Sequence, residues 1–473
     1  MSRVTPTPIH RAARLMIAAA LTVSVAGAAA AEKQTPPPGG EPKDFDLPVI
    51  ETLTLDNGLE AKLVQFGYIP KVQARLVVNA GNINETPDQV WLVDLLGLMM
   101  EEGAGELDGA ALAEAFAAVG GELSIGAGSD TFWISSGALA ESAPELIRLL
   151  AEVVRRPALP AAELERRQAD LGRQLAVRRT QPRGLAERRF WGALYGDHPY
   201  GRALPEPERV SGYTVDDLRA FHTAQFGARR THVYVIGRFD LEAAKAAIKE
   251  AFDDWEAGPE AVDDVPSAVE AERRRVVLVD RPGAAQSNLR IGLPVVDPSH
   301  PDYMALQVTN SLLGGSFASR ITSNLREDKG YTYSPVSALS ARFRTAVWLQ
   351  RADVTTDVTG PAIQEIFKEI DRLRAEPPSA EELRGIQNYL SGAFVRTNSS
   401  LFGIAFQLFY VDFHGLGPEH LTSYVQRVHA VTPEDVRRMV QKYLRDEEMT
   451  LVVVGDAEKI RGQLEPFGDL VVE

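Results

Sequence analysis

The sequence predicts an α+β protein built from two homologous repeats, each a mostly antiparallel sheet covered by helices. Three observations carry this expectation. Segments recur at an offset of 218 residues: Thr214 to Arg219 (TVDDLR) returns as Thr432 to Arg437 (TPEDVR), Thr231 to Gly237 (THVYVIG) returns as Met449 to Gly455 (MTLVVVG), and Pro160 to Glu163 returns as Pro378 to Glu381. Within each repeat, strand-like runs come first and helical runs follow, the order of an α+β layer pair. Residues 256–273, with Gly258, Pro259, Pro266 and mixed charge, read as the linker between them. The predicted domains are therefore residues 49–255 and 274–473.

In the first repeat, Asp56-Asn57-Gly58 lies between two alternating runs, Glu51 to Leu55 and Glu60 to Val64, and predicts a hairpin whose turn needs positive φ. A strand from Val72 to Val78 follows, then helices at Val90 to Met100 and Gly109 to Val119, a strand at Thr131 to Ser136, and long helices at Glu141 to Arg155 and Pro160 to Arg179. The second repeat predicts strands at Arg275 to Val279 and Ser287 to Leu293 and helices at Tyr303 to Leu313 and Ala318 to Glu327. Strands within Tyr331 to Ala352, a run of helices and a closing strand complete it.

Composition narrows the function. The chain has 473 residues, 45% hydrophobic and 24% charged, with a formal net charge of −15. That is ordinary for a globular protein, and no basic run offsets the acidity, which argues against nucleic-acid binding. With no cysteine there are no disulfides, iron–sulfur clusters or cysteine nucleophile, so a metal site must draw on Asp, Glu and eight His. Residues 1–31 read as a signal peptide: Arg3, Arg11 and Arg14 precede the apolar run Leu15 to Val25, and Ala29-Ala30-Ala31 fits the cleavage site. Its removal takes the charge from −15 to −18, leaves a Pro/Gly-rich linker at 32–48, and predicts an exported, periplasmic chain without stable membrane insertion.

The densest chemical signal is Leu312 to Ser334. A Gly314-Gly315 pair with Ser316 and Phe317 starts a helix, the helix ends at Lys329-Gly330, and an alternating strand begins at once. Arg326 falls on the last helical turn and Tyr333 two residues into the strand, so a tight turn brings guanidinium and phenol to one surface. There they can hold a peptide carbonyl or an oxyanion. The same residues also suit a solvated helix-end arginine and a half-buried strand tyrosine. Among the histidines, His198 in the Gly-Asp-His-Pro-Tyr-Gly loop reads as a loop-ordering residue. His414 and His420, flanking Glu419, read as a helix–helix connection, and Ser399-Ser400 as a turn or helix cap.

The tandem repeat, the Gly-Gly-Ser-Phe-x-Ser-Arg segment and the Arg and Tyr seven apart resemble the pitrilysin/insulinase family of zinc peptidases, which includes the mitochondrial processing peptidases. Asn79-Ala80-Gly81 before the Val90 to Met100 helix and Asp197 to Arg202 (DHPYGR) also resemble it. The resemblance spans about residues 50 to 465 and implies two α+β halves forming a clamshell chamber in which peptides are cut. It assigns Arg326 and Tyr333 to substrate binding and stabilisation of the tetrahedral intermediate, and Gly314 to Phe317 to substrate contact.

One part of the family pattern is missing. Its zinc motif, H-x-x-E-H on the first long helix, is here replaced by Asp94, Gly97 and Leu98, and no glutamate lies between Glu165 and Glu187 to act as third ligand. The expectation is an exported subunit that binds no zinc itself and supplies Arg326 and Tyr333 to a homologous zinc-binding subunit, the two together cleaving peptides. The alternatives are a non-catalytic scaffold or peptide-binding protein with a peptidase-like fold, and a self-sufficient peptidase with an unusual zinc site.

Overall fold

The computed structural model describes residues 46–260 and 273–473, which pack as one compact unit. The signal peptide, nearly all of the 32–48 linker and most of the 256–273 linker lie outside the described residues. Among the described residues, no helix is long and apolar enough to cross a membrane.

Each repeat folds around a six-stranded sheet. The first runs in spatial order Ile50–Thr54, Glu60–Gln65, Thr231–Gly237, Lys71–Val78, Phe132–Leu139, Ser124–Ala127, with a single parallel pairing, Glu60–Gln65 against Thr231–Gly237. In the second the order is Val336–Arg342, Thr345–Thr355, Gln286–Val295, Thr450–Gly455, Arg275–Asp280, Leu470–Val472, and its last two pairings are parallel. Read from the Ser124–Ala127 edge, the two sheets superpose strand for strand except at the far edge. There the first takes its own N-terminal strand and the second takes the C-terminal one. The Asp56-Asn57-Gly58 hairpin forms as predicted: Gly58 has φ +93°, and the Asn57 amide donates to the carbonyls of Phe252 (2.7 Å) and Trp255 (2.9 Å).

Smaller devices repeat as well. Thr214 and Thr432 are N-caps of equivalent helices, each in a reciprocal capping box with the aspartate three residues on. Gln168 donates its amide to the carbonyls of Val210 and Tyr213, and Gln387 does the same to Val428 and Val431. Gly184 and Gly403 sit where an added Cβ would fall 1.8 Å from the carbonyl oxygen six residues earlier, of Arg178 and Thr397 respectively. In both halves this close approach fixes the sharp entry into the next helix.

Those two helices join the halves. Pro182–Tyr195 leaves the first half to lie on the second sheet, where Phe190, Trp191 and Leu194 pack with Val347, Val452 and Val454. Leu401–Phe413 makes the reciprocal crossing onto the first sheet, where Ile404, Ala405 and Leu408 share a core with Val64, Val77 and Tyr234. Asp412 at its end accepts from the Tyr234 hydroxyl at 2.8 Å and pairs with Lys62. The central strands are thus covered on both faces, which explains why Thr450–Gly455 is buried throughout and apolar from Leu451 to Val454.

The structure corrects the expected layout of Leu312 to Ser334. The Gly314-Gly315 pair ends a helix instead of starting one: Tyr303–Asn310 runs into a π-turn, Ser311–Gly315. The glycines are required by packing, since a Cβ at Gly314 would lie 2.6 Å from Ser337 Oγ and one at Gly315 2.5 Å from Asn310 Nδ2. The following helix is only Arg320–Thr322 and continues as a second π-turn, Ser323–Asp328. The strand begins at Val336, so Tyr333 precedes it.

Candidate functional site

Arg326 and Tyr333 do meet. Lys329 N donates to Asn324 O (3.0 Å) and Tyr331 N to Leu325 O (2.8 Å), closing the chain around Gly330 at φ +65° and folding Tyr333 back over the π-turn. The Arg326 guanidinium carbon lies 4.5 Å from the ring centroids of both Tyr333 and Phe317. Its Nε pairs with Glu327 at 3.0 Å. The rings are outward-facing, Tyr333 78% and Phe317 70% exposed, so the stack presents a phenol and guanidinium edges to whatever approaches. Two donors, the Tyr333 hydroxyl and the Arg326 guanidinium, are thereby held on one surface with the Phe317 ring packed against the cation. Phe317 also borders a groove of about 560 Å³ with Ile386 and Tyr389, and Ser316 lies buried on its floor.

The altered motif occupies Leu92–Met100, as expected from the sequence. Its start is fixed by a residue that sequence reasoning missed. The buried Glu85 carboxylate accepts from Trp91 N (3.1 Å) and Val93 N (2.9 Å), while Trp91 turns through φ +70°. Burial pushes the Glu85 carboxyl up to about 8, against these donors. Asp94 takes the Asn82 amide at 2.9 Å; burial raises its carboxyl, opposed by Asn82 and by the nearby Arg178. At Gly97 an added Cβ would come within 3.3 Å of Phe132 and 3.6 Å of Ile125, and Leu98 packs on the core beside it.

This donor set does not fit zinc. Asp94 is the sole ligating side chain of the three positions, and the neighbouring cation is already a guanidinium, Arg178, lying 5.0 Å over the Trp91 ring. Among the described residues no three His, Asp or Glu side chains converge as a metal site. The residues lining the pocket of Asp94 include neither Arg326 nor Tyr333.

Between the halves lies a larger cavity of about 760 Å³, bordered by Asp130, Glu187 and Trp191 of the first and Tyr303, Phe406 and Tyr410 of the second. Arg342 reaches across to stack on Trp191 (4.2 Å) and Tyr200 (4.4 Å), and the Tyr200 hydroxyl donates to Asp130. His198 accepts from Tyr200 N at 3.2 Å, ordering its loop as expected. His414 ends the Leu401–Phe413 helix and His420 lies in the short helix after it, and Ser400 caps Leu401–Phe413 through Gly403 N.

Two models of one family match in tandem: the insulinase (peptidase family M16) model over residues 66–208 and the peptidase M16 inactive domain model over residues 212–390. The chain belongs to the insulinase (M16) peptidase family. Similar proteins include an uncharacterised zinc protease of Mycobacterium tuberculosis, 27% identical over 60% of this chain and 66% of that protein, just under two thirds of its length. A zinc protease of Streptomyces coelicolor is 21% identical over 85% of this chain and 88% of its own. A Helicobacter pylori relative named a non-peptidase homolog is 20% identical over 85% and 91%. Two crystal structures share the fold: a peptidase M16 inactive domain from Pseudomonas fluorescens (TM-score 0.78, 23% identity, 86% of this chain and 98% of that one) and a protease from Helicobacter pylori (TM-score 0.80, 20% identity, 87% and 100%).

Proposed function

We propose that this chain is the exported, zinc-free subunit of a two-chain M16 peptidase that cleaves peptides or unfolded segments. A homologous zinc-binding partner supplies the metal and general base, and this chain supplies Arg326 and Tyr333. The observation that carries the reading is an asymmetry. The Phe317–Arg326–Tyr333 stack is assembled and exposed, whereas the motif helix offers one ligating side chain, Asp94, with Phe132 packed behind Gly97 and the Arg178 charge nearby. The stack lies outside the Asp94 pocket, which supports a reaction centre brought by another chain. There the Tyr333 hydroxyl donates to the oxyanion and the guanidinium edge holds the substrate carbonyl. The test is to isolate the tagged chain from its native envelope fraction, identify what accompanies it and measure zinc. A homologous second chain and one zinc per complex support the reading; a zinc-free chain alone contradicts it.

A second reading, a non-catalytic scaffold or peptide-binding protein, is favoured by the similarity to the non-peptidase homolog of Helicobacter pylori and by the inactive-domain model. It requires that Arg326 and Tyr333 contribute nothing to bond cleavage.

A further inference from the structure

The pocket in front of the altered helix is bordered by four arginines, one of which has no side-chain hydrogen-bond partner, and we propose that it binds the carboxylate of a peptide. Its cavity of about 260 Å³ is lined by four guanidiniums, of Arg178, Arg188, Arg202 and Arg342, and two carboxylates, of Asp94 and Glu187.

Three of the arginines are engaged. Arg188 pairs with Glu206 at 3.0 Å, Arg202 donates to the carbonyls of Asp197 (3.2 Å) and Glu85 (2.8 Å), and Arg342 is stacked on Trp191 and Tyr200. Arg178 differs. Its side chain makes no hydrogen bond or ion pair within 4 Å among the described residues; its charge lies near Asp94, and its guanidinium carbon lies 5.0 Å from the buried Trp91 ring. A guanidinium donates through its edge, so the unpartnered N–H groups of Arg178 can take a planar, bidentate acceptor such as a carboxylate. The Asn82 amide is already committed to Asp94.

The neighbouring surface points to a peptide as the source of that acceptor. The pocket shares Ser129, Glu187, Trp191 and Arg342 with the cavity between the halves, whose far wall carries Phe406, Phe409 and Phe413. A ligand with a carboxylate at one end and apolar side chains behind it fills both spaces. The binding requires no bond cleavage and holds whether or not the chain serves a peptidase.

The experiment is calorimetric titration of the full chain with N-acetylated Ala-Phe-Leu-Ala as the free acid and as the C-terminal amide. The free acid binds at least tenfold tighter. Arg178→Gln brings the acid to the affinity of the amide and leaves the amide unchanged, and Arg178→Lys retains part of the preference. A third peptide, the amide with Glu in place of the last Ala, distinguishes the sources: acid-like binding assigns the carboxylate to a side chain, amide-like binding to the chain terminus. Equal affinity of acid and amide for the native chain, no binding of either, or an undiminished preference in Arg178→Gln overturns the proposal. None of these outcomes depends on turnover, so they leave the peptidase reading to its own test.

Discussion

The guanidinium of Arg326 lies over the ring of Tyr333 at 4.5 Å, although the two residues belong to no common helix or strand. The turn closed at Gly330 brings them together, and the Phe317 ring lies against the same guanidinium, also at 4.5 Å. Removing Phe317 leaves Arg326 stacked on Tyr333 alone. An exposed cation–π contact contributes about 0.5–1 kcal/mol. Phe317→Ala is therefore expected to lower kcat/KM of the native complex about two- to fivefold with its thermal stability unchanged, read by steady-state kinetics beside a melting curve.

The repeat symmetry makes a paired stability prediction. Ala at Gly184 or Gly403 puts a methyl 1.8 Å from a backbone carbonyl oxygen, a clash that no side-chain rotation relieves. Each substitution is expected to destabilise the chain by about 1–3 kcal/mol or more, and the two effects should be similar because the sites are equivalent. Gly172, inside the Ala161–Thr180 helix with no atom within 4 Å of an added Cβ, is the control. Gly172→Ala should stabilise by about 0.5–1 kcal/mol. Urea unfolding of the three variants decides it.

Acid sensitivity follows from His414 and His420. Burial lowers both imidazoles from 6.5 to about 4, and Arg427, whose N–H meets His420 Nδ1 at 3.0 Å, adds to the effect there. Both are neutral in the fold, so between pH 6.5 and 4 the unfolded chain binds more protons than the folded one. Stability from these groups is complete above about pH 6.5 and is lost as pH falls toward 4. Against the native chain, His420→Gln should show a shallower fall of the urea midpoint across that window. An identical pH profile would refute the assignment.

How much of this was legible in the sequence depends on the range of the interaction. The Asp56-Asn57-Gly58 hairpin and the Thr214 and Thr432 capping boxes are local, and their residues state them outright. The repeat was visible because equivalent backbone roles keep equivalent residues, as at Thr214 and Thr432, 218 residues apart. The crossing of Pro182–Tyr195 and Leu401–Phe413 between halves was not, since an apolar helix face does not specify which sheet it covers. At Tyr331 to Ser334 the alternation of Tyr-Thr-Tyr-Ser imitated a strand. Pro335, which has no N–H for a ladder, and the bond from Tyr331 N to Leu325 O keep that segment out of the sheet. Arg178 over Trp91 and the Glu85 cap are contacts between separate segments, or through a turn with φ +70°, which no pattern announces.

In the proposed two-chain peptidase, this chain's tyrosine completes an active site whose metal belongs to the other chain. The most direct test of this role is the turnover of the native complex carrying Tyr333→Phe, which removes one hydroxyl and keeps the ring that stacks on Arg326. The account predicts a fall in kcat of about ten- to a thousandfold, the range expected on losing one oxyanion donor, with subunit assembly and zinc content unchanged. Turnover at the level of the native complex would contradict it.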